Sequence, residues 1–301
     1  MTGAPNRPNG RALEPNDSPT HALAPWFSDF RRDRERERLD EGVLSAGGGQ
    51  RSAVLTIVQN ESFFFPIWLR YYSQFFAAAD IYVLDHESDD GSTEVGGFNR
   101  VRDSHDTFDN RWMVSMVEAK QRELLEDYDV VLVVDVDEIV APDPRWGTLD
   151  HYLSRFNSRW VNCLGYEVLH MRDSEPVINR DLPILAQRSQ WFPNPLYNKA
   201  AVATVPMSWQ AGFHGRSDGK FKFDPDLRLI HLHRVDFEIC KARHRRLTSK
   251  EWNPVDLERG LGTHNRVIGG DELDEWFYND TALEGTALVR EDIPADWRGV
   301  L

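Results

Sequence analysis

Five consecutive apolar residues, Val130-Val131-Leu132-Val133-Val134, run directly into Asp135-Val136-Asp137-Glu138. A run this compact lacks the polar face of a surface helix and fits a strand buried on both sides, as in a parallel sheet covered by helices. Residues 53–58 (Ala-Val-Leu-Thr-Ile-Val) and 81–84 (Ile-Tyr-Val-Leu) have the same character. Between them, Phe64, Ile67, Trp68, Tyr71 and Phe75 recur at spacings of three and four, predicting a helix over 63–78. Pro66 falls in its first turn, where the missing N–H is harmless. The order is β-α-β, implying a right-handed crossover and parallel pairing. A second helix is predicted over 111–126, ended by Asp127–Asp129, so that 130–134 reads as the third strand. Beyond residue 150 the pattern loosens. Strands are expected near 161–168 and 199–205, and a helix near 235–247. The fold class is α/β, with a mainly parallel central sheet flanked by helices and a less regular C-terminal region.

Composition narrows the partners. The chain has 301 residues, 49 acidic against 35 basic, for a formal charge of −14. Nucleic acid and anionic membrane attract basic proteins, so neither is expected as a main partner. A local basic patch at 241–250 is the exception. Two cysteines, Cys163 and Cys240, are too few for a disulfide framework or a cysteine-built zinc site, and suit a reducing cytoplasm. No stretch approaches the roughly 18–20 apolar residues of a membrane-spanning helix. Residues 1–50 read as a disordered tail followed by an exposed charged helix, since eleven of the thirteen residues from 29 to 41 are charged, with mixed signs. Residues 51–145 and 146–250 form two halves of one domain, and 251–301 a helical extension.

Polarity is concentrated where the strands end. Gln59, Asn60 and Glu61 follow the first; Asp85, His86, Glu87, Ser88, Asp89 and Asp90 the second; Asp135, Asp137 and Glu138 the third. In open parallel sheets ligands bind beyond the carboxyl ends of the strands. Carboxylates crowded there repel one another and resist desolvation, and a divalent cation relieves both costs. Oxygen ligands favour Mg²⁺ or Mn²⁺. Asp135 and Asp137, two apart on an extended chain, are expected to point the same way. A lone Asp-x-Asp is better explained by an acidic turn; the apolar run before it and two other acid-bearing strand ends favour the metal site.

Val58-Gln59-Asn60-Glu61, Trp68-Leu69, Asp85-His86-Glu87-Ser88-Asp89-Asp90-Gly91-Ser92 and Asp135-Val136-Asp137-Glu138 together resemble the opening of family-2-type glycosyltransferases of the GT-A fold, in the branch whose first strand ends in Asn-Glu. The resemblance covers residues 53–140. It implies a nucleotide-sugar-binding half at 51–145 and an acceptor- and metal-completing half at 146–250. Asn60, Glu61, Asp85 and Asp90 would line the donor site, Asp135 would face the ribose or sugar, and Asp137 would ligate Mn²⁺ or Mg²⁺ on the diphosphate. Later landmarks, Asn198-Lys199, His214-Gly215 and His231-Leu232-His233, resemble the same branch. Lys199 is then a phosphate partner, and His231 or His233 completes the metal shell, although core histidines and a solvated lysine explain these residues as well. His86 and Glu87 depart from the wider pattern, which leaves the base open; a uridine nucleotide is the commonest case.

The implied reaction moves a sugar from a nucleoside-diphosphate sugar to an acceptor nucleophile, with inversion as the family's default. An inverting enzyme needs a general base. Asp173, Asp218, Asp236 and Glu238 are candidates, with Asp218 placed first because Gly215-Arg216-Ser217-Asp218-Gly219 reads as a mobile loop. Trp191, Phe192, Tyr197 and Trp209 suit either an acceptor wall or the core. Two other readings stand beside this one. One is a nucleotide-binding scaffold without turnover. The other is an Asp-x-Asp phosphatase, which fits poorly because its motif normally sits on an early strand.

Overall fold

The computed structural model describes residues 50–278, 281–283, 286–287 and 289–301. The expected tail and charged helix, residues 1–49, lie outside the described residues. In chain order the elements are β1 (Ser52–Val58), α1 (Phe64–Tyr72), β2 (Ile81–His86), β3 (Asn99–Asp103), α2 (Asn110–Leu124), β4 (Val130–Val133) and β5 (Glu138–Pro142). There follow α3 (Leu149–Leu153), β6 (Trp160–Leu169), β7 (Gln190–Pro193), β8 (Val202–Ala203), β9 (Phe223–His231), α4 (Phe237–Thr248), α5 (Pro254–Glu258) and α6 (Gly270–Tyr278). A small hairpin, β10 (Thr281–Leu283) with β11 (Thr286–Ala287), and β12 (Glu291–Asp292) complete the order.

Ten strands form one mixed sheet in the order β12-β7-β6-β8-β4-β1-β2-β3, with β9 paired to β6 and β5 paired to β9. The expected parallel pairing holds from β4 through β1 and β2 to β3. Beyond β4, β8 pairs antiparallel with both β4 and β6, and β7 antiparallel with β6, so "mainly parallel" describes only the first half. β1 shows why its apolar run is continuous. Val54 and Val58 pack with Trp68 and Tyr72 of α1, whereas Ala53 and Leu55 pack with Met113, Val117 and Leu124 of α2. Each face of the strand meets its own helix.

α1 is anchored twice to β5: Tyr71 donates its hydroxyl to the Val140 carbonyl at 3.0 Å, and Val140 N–H donates to the Tyr72 hydroxyl at 2.9 Å. α2 opens on Asp109, whose carboxylate accepts from the Arg111 and Trp112 amides, an N-cap worth ~1 kcal/mol. β3 occupies a segment that looked like a polar connection. It is a half-exposed edge strand of Asn, Arg, Val, Arg and Asp, and such an edge has no apolar alternation to reveal it. The strand before the Asp-x-Asp segment is therefore the fourth. The strand expected at 199–205 shrinks to Val202–Ala203. The C-terminal extension is not wholly helical: β12 adds to the sheet beside β7. No helix among the described residues is long and apolar enough to cross a membrane.

Candidate active site

A cavity of about 240 Å³ opens beyond the carboxyl ends of β1, β2 and β4. Glu61, His86, Asp135, Asp137, His231 and His233 line it, together with Arg243 from α4 and Tyr197 and His214 from the second half of the chain. The strand ends thus converge where an open α/β sheet is expected to bind a ligand.

Asp135 and Asp137 do not alternate on a strand. β4 stops at Val133, and Val136 and Asp137 lie in the turn to β5. The turn sends the two carboxylates to different partners. Asp135, with a side chain 30% exposed, lies 2.9 Å from Lys199 Nζ. The same ammonium lies 2.6 Å from Glu138 Oε2. Glu138 also accepts from the Asp135 amide at 2.8 Å, closing the turn on itself. Burial and the neighbouring Asp135 push the Glu138 carboxyl up to about 7, against the pull of Lys199. Lys199 is fully buried; although burial opposes its charge, Asp135 and Glu138 hold its pKa above the ordinary lysine value. Its ammonium is engaged beneath the cavity, and it is not among the lining residues.

Asp137 faces the other way. Its Oδ2 lies 3.6 Å from His231 Nε2 and 3.9 Å from His233 Nδ1, and it contacts Arg243 Nη1. Burial alone would raise this carboxyl, but the charges of Arg243 and His231 hold it well below the usual carboxylate range. His231 Nδ1 lies 2.8 Å from Glu167 Oε2, and its ring stacks on Tyr197 with centroids 4.1 Å apart. Burial opposes its charge, yet Glu167 and Asp137 together raise His231 to about 9. His233 lies in the turn just past β9, yet it reaches the same carboxylate.

Asp137, His231 and His233 place three donor atoms within 4.8 Å of one another. This set fits a divalent cation in chemistry. A carboxylate outside His231 fixes its ring so that Nε2 faces inward, the arrangement found around metal-bound imidazoles. Two imidazoles shift the preference from Mg²⁺ toward a transition ion. A cation there would replace the proton that His231 carries between its two carboxylates. It would also take Asp137 from Arg243, which keeps a second carboxylate: Arg243 Nε donates to Glu61 Oε1 at 3.0 Å, and Arg246 Nη2 to the same oxygen at 2.6 Å.

The loop after β2 behaves differently. Asp85 is buried and accepts from the Ser88 amide at 2.8 Å, the Thr93 hydroxyl at 3.0 Å and Arg100 Nε at 2.8 Å. Burial raises its pKa, and the bonds from Ser88, Arg100 and Thr93 bring it below the ordinary value. Asp90 accepts from the Ser62 and Ser92 amides. Asn60, in the left-handed region at φ 57°, accepts from the Asp89 amide at 2.8 Å and donates to Asp89 Oδ1 at 2.7 Å. Asn60, Asp85 and Asp90 shape the rim without lining the cavity.

The four general-base candidates, with Asp173 exposed in a turn after β6, stand apart from the lining residues. Asp218 is exposed and forks onto Arg216 at 2.9 Å. Asp236 is buried as the N-cap of α4, accepting from Glu238 and Ile239 amides while its other oxygen accepts from Ile178 N–H. The Glu238 side chain is 67% exposed on the first turn of α4. Of the four grouped aromatics only Tyr197 lines the cavity; Trp191, Phe192 and Trp209 are buried in the core clusters.

Arg243, Arg246 and Glu167 were not singled out from the sequence. The basic patch at 241–250 held a signal: Arg243 and Arg246 are three apart on α4, flanking buried His244 and Leu247, so they lean toward the packed side. Glu167 carried none, sitting in the middle of an apolar strand.

No protein-family model matches the chain, and no curated protein matches it. Among solved structures it is similar to a mannosyltransferase from Pyrobaculum calidifontis in complex with GDP-mannose and Mn²⁺, at 12% identity over 79% of this chain and 78% of that one, with a TM-score of 0.35. It is similar to a mannose-1-phosphate geranyltransferase from Thermus thermophilus, at 9% identity over 82% and 76%, with a TM-score of 0.28. A third, the bifunctional glycosyltransferase WbbM, gives 12% identity over 70% of this chain and 37% of that one, with a TM-score of 0.24. Similarities this distant leave the chemistry of the cavity to its own residues.

Proposed function

We propose that this chain is a glycosyltransferase that takes a sugar from a nucleoside-diphosphate donor, a uridine nucleotide in the commonest case, and passes it to an acceptor nucleophile with inversion. One observation carries the reading: Glu61, Asp135, Asp137, His231 and His233, from segments far apart in sequence, line a single cavity beyond the carboxyl ends of the parallel strands. Mn²⁺ or Mg²⁺ held by Asp137, His231 and His233 would supply positive charge to the departing diphosphate. Asp135, steadied by Lys199, presents a carboxylate to hydroxyls of the ribose or sugar. Arg243, held on Glu61, adds a second cation beside the diphosphate. His214 lines the cavity with an Nδ1 that has no hydrogen-bond partner among the described residues. Burial, and then the Lys199 charge, hold its pKa well below the ordinary histidine value, so the neutral ring suits a hydrogen bond to a ligand hydroxyl better than the uptake of a proton.

Calorimetry of the chain against a panel of nucleoside diphosphates, with and without Mn²⁺, tests the reading. Metal-dependent binding of one nucleotide, followed by hydrolysis or transfer from the matching sugar donor, is the expected result. Absence of binding to every nucleotide in both conditions would reject it.

A second reading, nucleotide binding without turnover, is favoured by a specific feature. Each acidic residue among the described lining residues is already ion-paired: Glu61 with Arg243 and Arg246, Asp135 with Lys199, Asp137 with Arg243. None stands free as a carboxylate base. Binding with no donor hydrolysis under any metal would select this reading.

A further inference from the structure

Cys240 and His244 stand one turn apart on α4, so their side chains leave the same face of the helix. Both are fully buried, and that face meets His233, itself 3% exposed. His233 Nε2 lies 2.7 Å from His244 Nε2, and Cys240 Sγ lies 3.6 Å from the same nitrogen. All three donor atoms lie within 4.8 Å of one another. His244 Nδ1 lies 2.8 Å from the Val267 carbonyl, which only accepts. Nδ1 therefore carries the ring proton, and Nε2 turns its lone pair into the cluster. One lone pair cannot serve both His233 and the thiol, whereas a cation among them would use a donor from each. The Trp276 ring closes the cluster, with centroids 5.5 Å from His233 and 4.7 Å from His244.

We infer that His233, Cys240 and His244 form a second cation site, adjoining the Asp137 set and competing with it for His233, that takes a borderline-soft divalent ion such as Zn²⁺. One sulfur and two imidazole nitrogens without a carboxylate suit Zn²⁺ or Co²⁺ over Mg²⁺ or Ca²⁺. On binding, the S–H bond of Cys240 breaks, a metal–sulfur bond forms and the proton passes to water; no electron changes hands. The site shares His233 with the Asp137 set through opposite nitrogens. A neutral imidazole has one lone pair, so an ion bound at Nε2 leaves Nδ1 protonated toward Asp137 and withdraws His233 from the first set. The inference stands on the geometry of α4 and not on the donor reading.

Titration of the full chain with Co²⁺, followed by absorption spectroscopy, tests it. The expected result is a sulfur-to-cobalt charge-transfer band in the near ultraviolet that persists in Asp137→Asn and in Cys163→Ser. The chain has only two cysteines, so persistence in Cys163→Ser assigns the band to Cys240 without altering the cluster. The band should vanish in Cys240→Ser, and His244→Gln should weaken Co²⁺ binding about tenfold or more, each variant being checked for folding by circular dichroism. No charge-transfer band in the wild-type chain, its loss in Cys163→Ser, or its survival in folded Cys240→Ser would overturn the site.

Discussion

The loop after β2 and the turn after β4 are both acid-rich and both leave the same edge of the sheet, yet their carboxylates do different work. Asp85, at the end of β2, accepts from Ser88, Thr93 and Arg100 of β3, and Asp90 from Ser92 and Ser62, so the two tie this loop to the edge strand and to the segment before α1. Asp135 and Asp137 meet side-chain cations and imidazoles from segments more than sixty residues away: Lys199, His231, His233 and Arg243. Asp85 and Asp90 are filled by protein donors and do not line the cavity. Asp135 and Asp137 line the cavity, with their partners drawn from distant segments. Strand-end acidity alone does not separate the two cases; the supply of local donors does.

The comparison breaks or sharpens at four substitutions. The largest effect is expected at Asp137→Asn, which should remove the metal-dependent part of nucleoside-diphosphate binding, a loss of about 100-fold or more in calorimetry. Unchanged binding would withdraw Asp137 from the site. Asp85→Asn should do the reverse. It removes the charge paired with Arg100 and leaves a single acceptor oxygen for the Ser88, Thr93 and Arg100 donors, costing about 3 kcal/mol in chemical denaturation, while nucleotide affinity of the folded variant changes little. A selective loss of affinity at full stability would make Asp85 a ligand contact and erase the contrast. Asn60→Ala should cost about 1–2 kcal/mol, since it removes the tie to Asp89 and leaves alanine in a left-handed conformation.

The smallest effect concerns Lys250, which follows α4 and contacts Gln59. Burial, then the Arg246 charge, lowers its pKa from 10.5 to about 8. The unfolded chain keeps this proton up to the ordinary lysine value, while the folded chain gives it up near 8. This lysine's contribution to stability therefore rises as pH climbs from 8 toward 10.5. Lys250→Met should be more stable than wild type at neutral pH, with the advantage shrinking across that window in denaturation midpoints. A constant difference would refute the linkage.

Much of this was legible in residues. β1, β2 and β4 announced themselves as apolar runs, α1 and α2 by spacings of three and four, because burial on a defined face leaves a period. β3 escaped because an edge strand with exposed arginines has no apolar face, yet Arg100 from it fixes Asp85. Asp236 looked like a free carboxylate in a loosely patterned region; it is the N-cap of α4, a role readable only once the helix start is known. Lys199, expected as a phosphate partner, lies under the turn against Asp135 and Glu138, a pairing that no local pattern announced.

By itself the sequence determined that acids gather at the ends of buried parallel strands, since strand direction and side-chain polarity are local properties of the chain. Only tertiary structure decided which of those acids share a cavity, and with which bases. Arg243 lies 106 residues from Asp137, and Glu167 lies 64 from His231. Pairings at that distance depend on how β6, β9 and α4 pack, a matter of long-range shape that no local pattern records.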